Sequence, residues 1–120
     1  AGSHLVREVA DSIRGLVRKS DVLARYGGDE FVILMTHTSM RGAIISSERI
    51  RNAIQNTTLA VNRKHINTTA SIGIASFPDN VSNAEEVLDK ADVALYQSKQ
   101  GGRNKVTGYD QKPFSATACA

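Results

Sequence analysis

Arg25-Tyr26-Gly27-Gly28-Asp29-Glu30-Phe31 decides the fold of this chain. Short apolar segments flank it, Val22–Tyr26 before and Phe31-Val32-Ile33-Leu34-Met35 after. A Gly-Gly pair tolerates the positive φ angles of a tight turn, so the spacing predicts a β-hairpin. Such a turn lets backbone N–H groups approach a ligand and sets two carboxylates, Asp29 and Glu30, at the mouth of the return strand, where they suit a hard cation. If Asp29 already stands in the strand, the two acids point to opposite faces and do different jobs.

Upstream, Val6, Val9, Ala10, Ile13, Leu16 and Val17 recur at helical spacing and predict an amphipathic helix over 4–19, weakened slightly at Gly15. Downstream, Ser39 caps a second helix reaching to about Asn56, with Ala43, Ile50 and Ile54 inward. Leu59–Val61 and Ile66–Phe77 read as a further hairpin across Asn62-Arg63-Lys64. Gly73, in the middle of that long β-branched strand, signals a close approach or a bulge. Pro78-Asp79-Asn80 is a turn, and Ser82 with Glu85 forms a capping box for a last helix with Val87, Leu88, Ala91, Ala94 and Leu95 on its apolar face. Gly101 ends that helix, and Lys105-Val106-Thr107 is a final short strand. The order α-β-β-α-β-β-α-β predicts an α+β fold, an antiparallel central sheet flanked by helices.

Composition sets the bounds. At 120 residues and 12.9 kDa the chain suits one domain. It is 41% hydrophobic and 22% charged, ordinary for a globular protein, and no apolar run is long enough to span a bilayer. No signal peptide is visible, and the single Cys119 argues against a disulfide scaffold and for a reducing compartment. His4, His37 and His65 lack zinc-ligand spacing. A net charge of +3 suits an anionic ligand but is too small and dispersed to argue for nucleic acid. Aromatic residues make up 5%, with no Trp and no basic stripe interleaved with aromatics, so no single-strand binder is indicated. Residues 1–4 read as a tag remnant, 5–109 as the domain, and 110–120 as a flexible tail.

Four stretches belong together: Gly27-Gly28-Asp29-Glu30-Phe31; Arg18-Lys19-Ser20-Asp21, with five residues separating Asp21 from Gly27; Thr69-Ala70-Ser71-Ile72-Gly73-Ile74-Ala75; and Ala91 to Lys99 followed by Gly102-Arg103-Asn104. Together they resemble the GGDEF family, the diguanylate cyclases, over nearly all of residues 5–109. The resemblance implies a nucleotidyl-cyclase or polymerase-palm-like fold. It implies an enzyme that condenses two GTP into cyclic di-GMP in bacterial second-messenger signalling, working as a homodimer with one GTP in each domain.

By the same resemblance Asp29 and Glu30 are catalytic, and Asp29 is a ligand of Mg²⁺ (or Mn²⁺). Gly27 and Gly28 line the nucleotide, and Lys99 and Arg103 contact its triphosphate. Arg18 and Asp21, with Arg49 as a secondary arginine, form an inhibitory site for the product. Plainer readings stand beside these. Asp29 and Glu30 also suit a turn, Lys99 and Arg103 also complement a helix dipole, and Arg18, Asp21 and Arg49 also serve as caps and solvated surface. Tyr96, Leu95 and Phe31 read as core.

The chain departs from the family in one respect. The family's opening strand, with an Asp-x-Asp-x-Phe-Lys-x-x-Asn-Asp pattern, has no counterpart in this sequence, and Ser3 stands where an aspartate is usual. The chain therefore reads as a GGDEF fold lacking its first strand, with turnover absent or impaired and with a homodimer, strand-swapped or not, favoured by the open strand edge. The alternative is a non-catalytic cyclic di-GMP-binding or dimerisation module. The expected location is the bacterial cytoplasm, with a membrane tether in a parent protein allowed.

Overall fold

The computed structural model describes residues 2–26, 30–61 and 63–109. The first helix, α1 (Gly2–Arg14), starts earlier and ends sooner than the apolar spacing predicts. It unwinds at Gly15: Leu16 N bonds Ile13 O at 2.9 Å, a tighter i−3 step. Leu16 and Val17 still pack on the core, so the periodicity marks burial correctly even where the helix has stopped.

β1 (Val22–Arg25) and β2 (Phe31–Leu34) form the expected antiparallel hairpin, in a register that pairs Val22 with Leu34 and Arg25 with Phe31. One further bond, Tyr26 N to Glu30 O at 2.7 Å, closes the described part of the hairpin. The Gly27-Gly28 turn and Asp29 lie outside the described residues.

α2 (Met40–Gln55) begins at its expected cap, where Ser39 Oγ accepts from Gly42 N. Asp79 Oδ2 adds a tertiary cap, accepting from Met40 N at 2.7 Å, which ties the turn after residue 77 to the start of α2. Ala43, Ser47, Ile50 and Ile54 form its buried face.

The long strand expected over 66–77 is two strands. β3 (Thr58–Val61) pairs antiparallel with β4 (Lys64–Asn67), and Lys64 belongs to the strand, not the turn. β5 (Ile72–Ile74) pairs instead with β6 (Val106–Gly108), and that ladder is parallel. The break falls at residues 68–71, where Ser71 Oγ accepts from Asn104 N at 3.2 Å and turns the chain toward its new partner. Among the described residues the strands thus form three two-stranded ladders, two antiparallel and one parallel, packed with helices in an α+β arrangement.

The start of the last helix differs from the sequence pattern by one residue. Asn83, not Ser82, is the cap: its Oδ1 accepts from Glu85 N at 3.0 Å and opens a 3₁₀ turn, Ala84–Glu86. That turn runs into α3 (Val87–Gln100). Leu88, expected inward, is 42% exposed, whereas Ala94 and Ser98 are fully buried. Ser98 Oγ lies 2.8 Å from Ile72 O and 2.6 Å from Thr107 Oγ1, so a polar side chain locks α3 onto β5 and β6.

Gly73 explains how close that contact is. A Cβ placed there would lie 2.1 Å from Leu95 N and 2.4 Å from Ala91 O, so only glycine lets α3 lie against the strand. The main core is the trio Ile13, Ile50 and Ile54, where α1 meets α2, covered by Leu23, Phe31, Ile33 and Ile72 from the strands.

Candidate functional site

The candidate residues fall into two groups at opposite ends of the β1–β2 hairpin. At the Arg25/Phe31 end, Glu30 opens β2. Its carboxylate lies 3.5 Å from Lys99 Nζ, on the last turn of α3, with both side chains about one-third exposed. This pair joins positions far apart in sequence, and it brings a predicted catalytic acid to a predicted phosphate-binding lysine. The chain then turns sharply: Arg103 N bonds Ser98 O at 3.0 Å, with Gly102 at φ +112° and Arg103 itself at φ +64°. Arg103 is exposed. Asn104, next in line, accepts from Arg51 Nη1 of α2 at 3.0 Å, which anchors the turn that carries Arg103. Gly27, Gly28 and Asp29 lie outside the described residues, so their places rest on the sequence.

At the Val22/Leu34 end, the loops after α1 and after β2 meet. Asp21 Oδ2 accepts from Arg18 N at 2.9 Å and Oδ1 faces Arg18 Nη2 at 3.3 Å. The Asp21 side chain is only 4% exposed, while that of Arg18 is 53% exposed. The same Nη2 reaches Thr36 O at 3.0 Å and Thr38 Oγ1 at 2.5 Å. Arg49 Nη2 donates to Leu16 O at 2.9 Å, fastening α2 to the unwound end of α1. Its neighbour Glu48 pairs with Arg51, at 2.6 Å, and not with Arg49. Arg18, Asp21 and Arg49 all line one groove of about 410 Å³, shared with Thr38, Ser46 and Ile50. Two arginines lining one groove suit a phosphate-bearing ligand, which a guanidinium binds through its planar donors.

The plainer reading of these residues is also partly realised. Asp21 closes the 18–21 turn, and Arg49 caps a free carbonyl. Thr36 and Thr38 gave no signal in the sequence, because they meet Arg18 only through the fold.

A family model described as "Diguanylate cyclase, GGDEF domain" matches residues 1–105. The chain belongs to the GGDEF family. Diguanylate cyclase A of Treponema denticola is 41% identical over 107 residues, which is 89% of this chain and 29% of that protein. The chain therefore spans less than a third of that relative. Among solved structures, the GGDEF domain of Pseudomonas aeruginosa PA1120 superposes with a TM-score of 0.85 at 28% identity, covering 99% of this chain and 69% of that one. The GGDEF domain of Caulobacter crescentus DgcB, solved in complex with c-di-GMP, gives 0.76 at 31% identity, covering 88% and 63%.

GGDEF membership raises the matter of a metal. Asp29 and Glu30 offer carboxylate oxygens, the donors that Mg²⁺ and Mn²⁺ prefer. Among the described residues no group of three or more His, Cys, Asp or Glu side chains gathers. The donor chemistry fits, and substrate phosphate oxygens would have to complete the shell. No helix among the described residues is long and apolar enough to cross a membrane.

Proposed function

We propose that this GGDEF domain binds GTP at the Arg25/Phe31 end of the hairpin and cyclic di-GMP at the other end, as part of a diguanylate cyclase. The observation that carries the first half is the Glu30–Lys99 pair, which sets the last acid of the Gly-Gly-Asp-Glu motif against the basic end of α3. In this reading Gly27 and Gly28 let the backbone approach the ribose and phosphates, while Lys99 and Arg103 hold the triphosphate. Asp29, with phosphate oxygens, would hold Mg²⁺ or Mn²⁺, which when bound offsets the charge that grows on the α-phosphate. Glu30 keeps the Lys99 ammonium at this end of the hairpin through a part-exposed ion pair, from which an incoming phosphate can draw it. A second domain holding a second GTP supplies the other reactant, which makes the working unit a homodimer.

The groove at the other end supports the second half. Arg18, Asp21 and Arg49 converge there, and Asp21 has an acceptor edge suited to guanine N–H groups. A binding role for cyclic di-GMP without turnover is the second reading, favoured by the same groove, which is formed within this chain.

Titration of the chain with GTP and Mg²⁺ tests the proposal, followed by chromatography for cyclic di-GMP. The expected result is metal-dependent GTP binding that Asp29→Asn abolishes, with little or no product. The small yield follows from the family's opening Asp-x-Asp pattern having no counterpart in this sequence. Metal-independent GTP binding, or binding untouched by Asp29→Asn, rejects the assignment. Binding of cyclic di-GMP alone leaves the second reading in place.

A further inference from the structure

We propose that Thr38 is a positioning residue for Arg18, fixing how its guanidinium faces a ligand in the groove; this rests on the groove being the cyclic di-GMP site. Nη2 of Arg18 carries two N–H groups but meets three acceptors: Asp21 Oδ1, Thr36 O and Thr38 Oγ1. The one hydroxyl hydrogen of Thr38 is given to Thr36 O, 2.9 Å away, so Thr38 presents lone pairs to Nη2. Thr36 O in turn accepts from both. The result is a small closed set of hydrogen bonds in which every member orients another.

The set also joins two loops. Asp21 sits between α1 and β1, and Thr36, His37 and Thr38 sit between β2 and α2, with His37 at φ +51°. Asp21 is buried and cannot follow a moving arginine, whereas Arg18 is half exposed and long. Without Thr38, Nη2 keeps its bonds to Asp21 and to a carbonyl that no longer has a hydroxyl beside it. With Thr38, Nη2 is also held from the loop between β2 and α2.

Because the guanidinium is planar, pinning Nη2 also sets the directions of Nη1 and Nε. Neither has a partner among the described residues, and Arg18 lines the groove, so these are the donors left for an anionic ligand. An arginine already held loses less side-chain freedom when the ligand arrives. Thr38 thus raises affinity without needing to touch the ligand.

The test is calorimetric titration with cyclic di-GMP of the wild-type chain and of Thr38→Val, Thr38→Ser and Arg18→Ala. Thr38→Val keeps the branched shape and removes the hydroxyl, and it is expected to weaken binding about tenfold, the scale of one hydrogen bond to a charged group. Thr38→Ser, which restores the hydroxyl, is expected to bind within about twofold of wild type. GTP binding is expected to stay unchanged in both, since a merely structural defect would lower both ligands. Thr38→Val binding as tightly as wild type overturns the proposal, and so does Thr38→Ser binding as weakly as Thr38→Val. If Thr38→Val does not fold, by its circular dichroism melt, Thr38→Ala takes its place under the same criteria. Arg18→Ala separates the two levels. Lost binding there keeps the groove as the ligand site and leaves Thr38 to be judged by its own variants, while wild-type binding there removes the site reading itself.

Discussion

At the Val22/Leu34 end of the hairpin, one guanidinium meets a carboxylate, a carbonyl and a hydroxyl, and a second arginine caps the neighbouring helix. At the Arg25/Phe31 end, the described residues offer one ion pair of 3.5 Å between two part-exposed side chains. The first end is built before any ligand comes. Its donors are shared among buried and backbone acceptors, so little has to be ordered on binding. The Glu30–Lys99 pair is long and part exposed, and a pair of this kind contributes about 0–1 kcal/mol to folding. A highly charged triphosphate with its cation can rearrange such a pair at small cost. The contrast is between an arginine already fixed in the proposed product groove and a loosely paired lysine at the proposed substrate end.

The largest effect expected from a single change tests whether the two ends are separable. Lys99 depends on α3 lying against β5, and that contact depends on Gly73. Gly73→Ala forces a methyl group into the backbone of Ala91 and Leu95, which cannot yield as a side-chain tip can. The expected loss of stability is about 3 kcal/mol or more, read by chemical denaturation. Below the unfolding transition, GTP binding should suffer more than cyclic di-GMP binding, because the groove is lined by the chain through Ile50 and not by α3. Equal loss of both ligands would show that the two ends share one support.

A crossed pair of substitutions sharpens the comparison at smaller scale. Arg18→Ala is expected to weaken cyclic di-GMP binding by about 2 kcal/mol or more and to leave GTP unchanged. Lys99→Ala is expected to weaken GTP by about 1.5–3 kcal/mol and to leave cyclic di-GMP unchanged. Its effect on folding should stay within about 1 kcal/mol, since its ion pair is part exposed. Calorimetry of both variants with both ligands decides the matter, and a variant that disturbs both ligands alike breaks the separation.

What the sequence made legible follows from how local the determining forces are. The hairpin, the Ser39 cap and the apolar stripe of α2 are set by near neighbours, and each stands where the pattern places it. The candidate residues could be nominated because a Gly-Gly-Asp-Glu run and an Arg-x-x-Asp pair are local motifs. What escaped depends on distant partners. The break at residues 68–71 arises because β5 finds β6, thirty-odd residues later, and Ser71 holds Asn104. Ser98 reads as a polar helix residue, yet it is buried because Ile72 O and Thr107 receive it. Thr38 belongs to the same class, a residue whose partner, Arg18, the fold alone supplies. The direction of the β5–β6 ladder is likewise a property of the connection through α3, a crossover that parallel pairing requires.

The smallest predicted effect is a control on all of these. Asn83 and Ser82 are adjacent, exposed and both chemically able to cap, and the sequence pattern favours Ser82 through Glu85. The structure gives the bond to Asn83, whose Oδ1 accepts from Glu85 N and satisfies a donor at the start of the 3₁₀ turn. Asn83→Ala should therefore cost about 0.5–1 kcal/mol by chemical denaturation, and Ser82→Ala less than about 0.5 kcal/mol. This cap lies at the end of α3 away from Lys99, so neither variant should shift GTP or cyclic di-GMP binding. If Asn83→Ala loosens GTP while Ser82→Ala does not, the hold of α3 on β5 is weaker than Gly73 and Ser98 imply, and the substrate end responds to the stability of the whole helix. If stability falls and both affinities stay fixed, the losses in Gly73→Ala and Lys99→Ala belong to the site and not to a general softening of the fold.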